Sequence, residues 1–301
     1  MKLSVAICTW NRAALLGATL NQMLNIRAPA SSWELIVVNN NSSDNSDAIL
    51  QSFASRLPLR RLMESKPGLS NARNAAVEAA TGDYVIWTDD DVLVSRDWLV
   101  AYERAFRKWP EAAVFGGPIR PCFEGTPPAW LAAVWQDVSN AFAVRDLGAE
   151  VVRLDGRRAI PYGANFAVRL AEQRECLYDP DLGRKLERGY LGEEVAVIRS
   201  VLDAGNVGWW VPDASVEHFI PRDRQTLEYI RNYYELSGRT KQKLDPVHGP
   251  KLFGQPRWVV RKALSAEFMY RVNRLRGDPR AWIKPFCDAA YYWGMLSRVG
   301  S

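Results

Sequence analysis

Histidine is nearly absent from this chain of 301 residues: only His218 and His248 occur. Chemistry built on several imidazoles, such as a three-histidine zinc site, is thereby excluded. Cysteine is scarce as well. Cys8, Cys122, Cys176 and Cys287 lie far apart, without the paired spacing of a zinc or redox motif. They fit a reducing cytoplasm as small buried hydrophobes. No stretch reaches the roughly 18 to 20 apolar residues that a membrane-spanning helix requires. The opening residues MKLSVAICTWNR hold an apolar run too short for a signal peptide, so none is expected. The bias of a disordered chain is also missing, because 48% of the residues are hydrophobic and 24% charged. The length fits one large domain, or one domain with an appendage.

The net charge of +5 is unevenly distributed. From Lys251 to Ser301 there are ten Lys/Arg against three Asp/Glu, a surplus of seven, whereas residues 1–250 carry 29 basic and 31 acidic residues. The basic tail also holds Phe253, Trp258, Phe268, Tyr270, Trp282, Phe286, Tyr291, Tyr292 and Trp293. Such an end points to an anionic partner, either membrane headgroups or a nucleic acid. On the membrane reading, Trp282, Tyr291, Tyr292 and Trp293 add interfacial burial. The competing reading is a pair of C-terminal helices whose aromatics pack on the preceding domain.

The first half alternates strand and helix signals, which predicts a parallel sheet with crossover helices. Strands are expected at Leu3–Cys8, Glu34–Val38, Pro58–Met63, Asp83–Trp87 and Ala113–Gly116. Helices are expected at 13–25, 47–55, 70–80 and 98–109, from apolar residues at helical spacing. After Gly117 the pattern loosens. PIRPCFEGTPPAW (118–130) reads as turns, 129–143 as a helix, and IPYGANFAV (160–168) as a strand in which Gly163 permits close backbone approach. Further helices are expected at 193–204 and 224–236, and the tail from Trp258 reads as helical, broken at Gly277–Pro279.

Asp89, Asp90 and Asp91 follow directly on a buried strand. Three adjacent carboxylates repel one another, and at the end of a core strand they need a cation. Carboxylate oxygens suit Mg²⁺ or Mn²⁺, which bridge protein to substrate phosphates, and the carboxyl end of a parallel strand is where open α/β sheets bind ligands. Other strand tips add to this. Thr9, Asn11 and Arg12 end the first strand, and Asn39, Asn41 and Asp44 follow the second as donors and acceptors for a base or ribose. Lys66 and Arg73 flank a Gly turn that opens a helix, a combination that favours phosphate. Each tip alone is weak, since Ser, Asn and Asp are ordinary turn residues. Together they place a nucleoside diphosphate and its metal along one sheet edge.

In order and spacing, SVAICTWNR (4–12), VVNNNSSDNS (37–46), GLSNARNAA (68–76), GDYVIWTDDDV (82–92), GEEV (192–195) and VPDASVEHFIPR (211–222) resemble the family-2 glycosyltransferases. The resemblance spans roughly residues 1–240. It implies a GT-A fold: an α/β, Rossmann-like, mixed and mostly parallel sheet flanked by helices, here with a helical C-terminal appendage. Residues 1–117 would form the nucleotide-binding half, 118–240 the acceptor and catalytic half, and 241–301 the tail. The resemblance implies that Asp89 and Asp91 bind a divalent metal and the sugar-nucleotide, with Asp90 beside them, and that Thr9, Asn11 and Arg12 line the nucleotide. Asn39 stands where the family usually has Asp, with the carboxylate of Asp44 close by in sequence, so the resemblance leaves the base contact and the choice of base open. Glu194, or its neighbour Glu193, would deprotonate the acceptor hydroxyl, His218 would be an added metal ligand, and Asn165 would line the sugar pocket.

The expected activity is metal-dependent, inverting transfer of a sugar from a nucleotide-diphosphate sugar, a UDP-sugar first, to a glycan or lipid-linked hydroxyl. The expected setting is bacterial-type polysaccharide or glycoconjugate synthesis. The expected location is cytoplasmic or peripheral at the inner membrane face, with the tail on an anionic membrane surface and no nucleic-acid partner. Two rivals are a nucleotidyltransferase, which would carry a Gly-rich loop where this chain has TWNR, and a non-catalytic sugar or nucleic-acid binding module, which would transfer nothing.

Overall fold

The computed structural model describes residues 1–183, 190–252 and 254–297; Phe253 and the last four residues of the tail lie outside this range. The chain runs β1 (Lys2–Thr9), α1 (Ala13–Met23), β2 (Ser32–Asn39), α2 (Ser46–Phe53), β3 (Leu59–Met63) and α3 (Leu69–Ala79). Next come β4 (Tyr84–Thr88), β5 (Val92–Val94), α4 (Trp98–Lys108), β6 (Ala112–Gly116) and β7 (Ile119–Phe123). Two short helices, α5 (Ala129–Ala133) and α6 (Trp135–Val138), lead to β8 (Asn165–Arg169), α7 (Leu170–Glu175) and α8 (Glu193–Asp203). The chain continues through β9 (Val207–Trp210), β10 (Val216–Ile220) and α9 (Leu227–Leu244), then a small hairpin of β11 (Lys251–Leu252) and β12 (Gln255–Pro256). It finishes with α10 (Arg257–Arg274) and α11 (Pro279–Leu296).

The chain divides into two compact units. The first comprises 1–122, 143–188 and 192–219; the second comprises 123–142, 189–191 and 220–301. The boundary drawn from the sequence at residue 240 differs, because α9 packs against α11 and so joins the tail helices.

In the first unit a seven-stranded sheet has the order β3-β2-β1-β4-β8-β6-β9. β1, β2, β3 and β4 pair in parallel, whereas β8 runs antiparallel to β4 and β6. Strand alternation assigns the two faces. Leu3, Val5, Ile7, Leu35 and Val37 pack with Leu16, Leu20, Leu50, Trp98 and Tyr102 on one side. Ala6, Ile36 and Val38 pack with Ala72, Ala76, Val197 and Ile198 on the other. Both faces are covered, so the central strands are mostly apolar on both sides, with buried Ser4 the polar exception within β1 and polar residues at the strand ends. A smaller sheet, β5-β10-β7, holds β10 antiparallel to β5 with His218 opposite Val92.

The expected strand at 160–168 forms only from Asn165 onward, since Pro161 has no N–H to donate. The expected helix at 129–143 is broken into α5, α6 and a turn of 3-10 helix at Ser139–Phe142. In the second unit, Gly238 of α9 and Gly294 of α11 let the two helices touch backbone to backbone. A Cβ on Gly238 would strike the Tyr291 carbonyl, and one on Gly294 the Glu235 carbonyl. Trp282 is buried against Tyr270 and Phe286, which corrects its expected role as an interfacial aromatic. No described helix is long and apolar enough to cross a membrane.

Candidate active site

Parallel pairing of β1, β2 and β4 brings their carboxyl ends to one edge, at Thr9, Asn39 and Thr88. Asp89–Asp91 follow β4 there, and β1 supplies their partners. Thr9 Oγ1 donates to Asp90 Oδ2 at 2.7 Å. Arg12 donates to Asp90 Oδ1 at 2.8 Å and to Asp91 Oδ2 at 3.0 Å. β10 runs beside β5 and sets His218 Nε2 3.3 Å from Asp91 Oδ1. The Asp90 and Asp91 side chains are 4% and 2% exposed, whereas Asp89 is 35% exposed, so Asp89 is the one of the three that faces outward. Burial pushes the Asp90 carboxyl up to about 6 against the pull of Arg12, with Asp91 adding to the rise. Burial raises Asp89 in the same way, against Arg73.

Arg73 was expected to bind phosphate from a helix start. Its side chain is instead 4% exposed, with its guanidinium 3.5 Å from Glu193 Oε1 and 3.8 Å from Asp89 Oδ1. It lies over the rings of Trp87, Phe166 and Tyr178. Its helix position on α3 points it into the core, so it acts as the internal counter-ion that joins the aspartate loop to the start of α8. Glu193 and Glu194 open that helix, where the partial positive charge of the N-terminus favours carboxylates. Glu193 is buried on Arg73, while Glu194 is half-buried. Gly163 makes room for it: a Cβ there would lie 2.9 Å from Arg73 Nη2 and 3.2 Å from Glu194 Cδ.

Four other expected ligands have structural partners. Asn165 is fully buried and accepts from Trp98 Nε1 and Tyr102 OH while donating to the carbonyls of Pro118 and Ala214. All four of its hydrogen-bonding positions are filled, so its side chain is not a sugar contact. Asp44 accepts from the Ala13 N–H and from Ser46, holding the start of α1 to the start of α2. Thr9 and Arg12 are committed to the aspartates. Asn11 and Asn41 are exposed in left-handed backbone conformations (φ 52° and 60°), and Lys66 is exposed. Asn39 is buried, with its Oδ1 accepting from the Ser42 N–H.

Asn40, between two of the expected contacts, has a structural role. Its Nδ2 donates to the carbonyls of Glu64 and Lys66, and its Oδ1 accepts from the Gly68 N–H, which fastens the loop carrying Lys66. Nothing in an Asn-rich turn distinguishes it beforehand. Four buried side-chain atoms among the described residues lack a hydrogen bond, and Asn39 Nδ2, Arg73 Nη1 and Thr88 Oγ1 are three of them, all at this edge. No group of three His, Cys, Asp or Glu among the described residues is close enough to hold a metal ion. Asp89, Asp91 and His218 thus do not form a ready-made cage.

A switched, mostly parallel sheet with a carboxylate loop at its carboxyl edge defines an enzyme of the GT-A type. The chain belongs to glycosyl transferase family 2, whose sequence model matches residues 4–169, and it is a glycosyltransferase rather than either rival. It is 26% identical over 261 residues to the succinoglycan biosynthesis protein ExoM of Rhizobium meliloti, covering 83% of this chain and 77% of that one. The structure of residues 1–349 of TarS from S. aureus in complex with UDP-GlcNAc superposes with a TM-score of 0.57 at 15% identity, over 99% of this chain and 91% of that one. The mannosyltransferase PcManGT from Pyrobaculum calidifontis, in complex with GDP-Man and Mn²⁺, superposes with a TM-score of 0.64 at 17% identity, over 98% of this chain and 86% of that one.

Proposed function

We propose that this enzyme transfers a sugar with inversion from a nucleoside diphosphate sugar, a UDP-sugar first, to a hydroxyl of a glycan or lipid-linked acceptor in polysaccharide synthesis. The observation that carries this reading is the division of labour across Arg73. Glu193 neutralises its buried charge, which leaves Glu194 the half-buried carboxylate beside Gly163. Glu194 accepts the proton of the acceptor hydroxyl, whose oxygen attacks the anomeric carbon on the face opposite the diphosphate. The new glycosidic bond forms as the bond to the diphosphate breaks, and the nucleoside diphosphate departs with the bonding pair. Residues 1–117 hold the nucleotide in this reading, with Asn11, Asn41 and Lys66 as its exposed polar contacts, and residues 118–240 serve the acceptor.

The donor set fits a divalent cation. Asp89 faces outward, and Asp91 is flanked by His218. With too few ligands for a closed protein cage, this is the pattern of Mg²⁺ or Mn²⁺ sites completed by substrate phosphates. A cation held by Asp89, Asp91 and His218 would neutralise charge on the leaving diphosphate. The test is a thermal-shift panel of UDP-, GDP- and dTDP-sugars with and without Mn²⁺. A ligand at about 100 times its Kd stabilises by about 2.7 kcal/mol. One nucleotide class should raise the melting temperature in the presence of Mn²⁺, and Asp89→Asn should abolish that rise. No shift with any donor would overturn the reading.

A further inference from the structure

We infer that the solvent face of α10 docks on an anionic lipid surface. Leu264, Phe268, Val272 and Leu275 recur at the spacing of one helical stripe, and Leu275 keeps helical backbone angles at the end of α10. The opposite face, with Val259, Ala263, Tyr270 and Asn273, is buried. Leu264 is 56% exposed, Phe268 65% and Leu275 88%. An ordered helix that presents this many large apolar side chains to water marks an interaction surface.

The charges on the same helix choose the occupant. Residues 257–276 contain six basic residues and one acid, Glu267, which Arg271 already pairs at 2.8 Å. On a helical wheel Arg257, Arg261 and Arg271 share the arc of the apolar stripe. Long arginine stems can lie along acyl chains while their guanidinium groups reach the phosphates above. A stripe of Leu, Phe and Val set among arginines therefore matches a lipid interface, which offers hydrocarbon and anionic phosphate at adjacent depths. A second copy of this chain would bring like charges together, and a nucleic-acid backbone would leave the apolar stripe without a partner. Of the aromatics expected from sequence to reach the interface, Trp282 is buried whereas Trp293 is 38% exposed, and Phe268 adds an unexpected aromatic on the stripe of α10. This inference stands independently of the transfer reaction, because it concerns binding alone.

Flotation of the full chain with vesicles of equal parts phosphatidylglycerol and phosphatidylcholine tests it, with pure phosphatidylcholine vesicles as the control. The wild type should float with the anionic vesicles, stay behind with the neutral ones, and be released by high salt. Phe268→Ser combined with Leu275→Ser should lower the partition coefficient about tenfold or more. Arg261→Gln combined with Arg276→Gln should weaken binding to the anionic vesicles alone. All four positions are exposed, so unchanged circular dichroism and melting will establish that the variants fold. Three results would overturn the inference: folded wild type that ignores anionic vesicles, apolar variants that float undiminished, or light scattering that finds a dimer abolished by the Phe268/Leu275 variant.

Discussion

At the amino edge of the large sheet, Glu103 accepts hydrogen bonds from the N–H groups of Ala30 and Ser31, from the Ser31 hydroxyl and from Arg107. Burial would raise its carboxyl, but these donors outweigh burial and hold it down at about 2. Glu34, nearby, behaves alike: Ser4 and Thr81 supply three hydrogen bonds and lower its carboxyl despite burial. At the carboxyl edge the balance is reversed, with Asp90 raised to about 6 and Asp89 raised beside it. Both edges bury carboxylates, but one satisfies them fully and the other leaves them short of positive charge. Under-compensated carboxylates at a sheet edge are the mark of a place that works on a ligand, whereas fully satisfied ones hold the fold.

Removing the buried cation breaks this contrast most severely. Arg73→Met should lower the free energy of unfolding by roughly 3–5 kcal/mol, since it strands Glu193 and Asp89 without their counter-ion. Urea denaturation measures it, and a loss under about 1 kcal/mol would mean that the carboxylates relax without it. Glu194→Gln should instead leave stability and donor binding close to wild type while transfer falls about 100-fold or more, about 2.7 kcal/mol of barrier. If Glu193→Gln matches it in rate with no cost in stability, the roles of the two glutamates are exchanged.

Glu103→Gln probes the amino edge and should cost roughly 1–3 kcal/mol at neutral pH. The folded value lies below the unfolded value of about 4.3. The stabilisation by Glu103 is therefore complete above that pH and is lost as pH falls from about 4.3 toward 2. The gap between wild type and Glu103→Gln in urea midpoint should close across that window. A gap independent of pH would show that the hydrogen bonds, not the charge, carry the effect.

The sheet was legible wherever an apolar run met a turn. Leu3–Cys8 and Glu34–Val38 lie inside β1 and β2, and the helical spacing at 13–25 and 70–80 foretold α1 and α3 within a residue or two at each end. β5 and β7 were not legible. Val92–Val94 is too short to show a period, and Arg120, Pro121 and Cys122 give β7 a turn-like composition. The aspartate loop was visible because three like charges after a core strand call for an explanation. The burial of Arg73 and the four-way use of Asn165 were not visible, since both depend on strands and helices remote in sequence. The exposed stripe of α10 was present in the sequence, but only packing could separate Phe268 from Trp282.

The Gly238–Gly294 crossing also governs how this protein can vary in length. Each residue inserted into a helix turns everything beyond it by about 100°. A single insertion before Gly294 within α11 would therefore swing that glycine away from the Glu235 carbonyl and bring a side chain to the contact. The same insertion in the connection between α10 and α11, at Arg276–Asp278, changes no helical phase. Natural variants of this chain should accordingly gain or lose residues in that connection, while the distance from the start of α11 to its glycine stays constant.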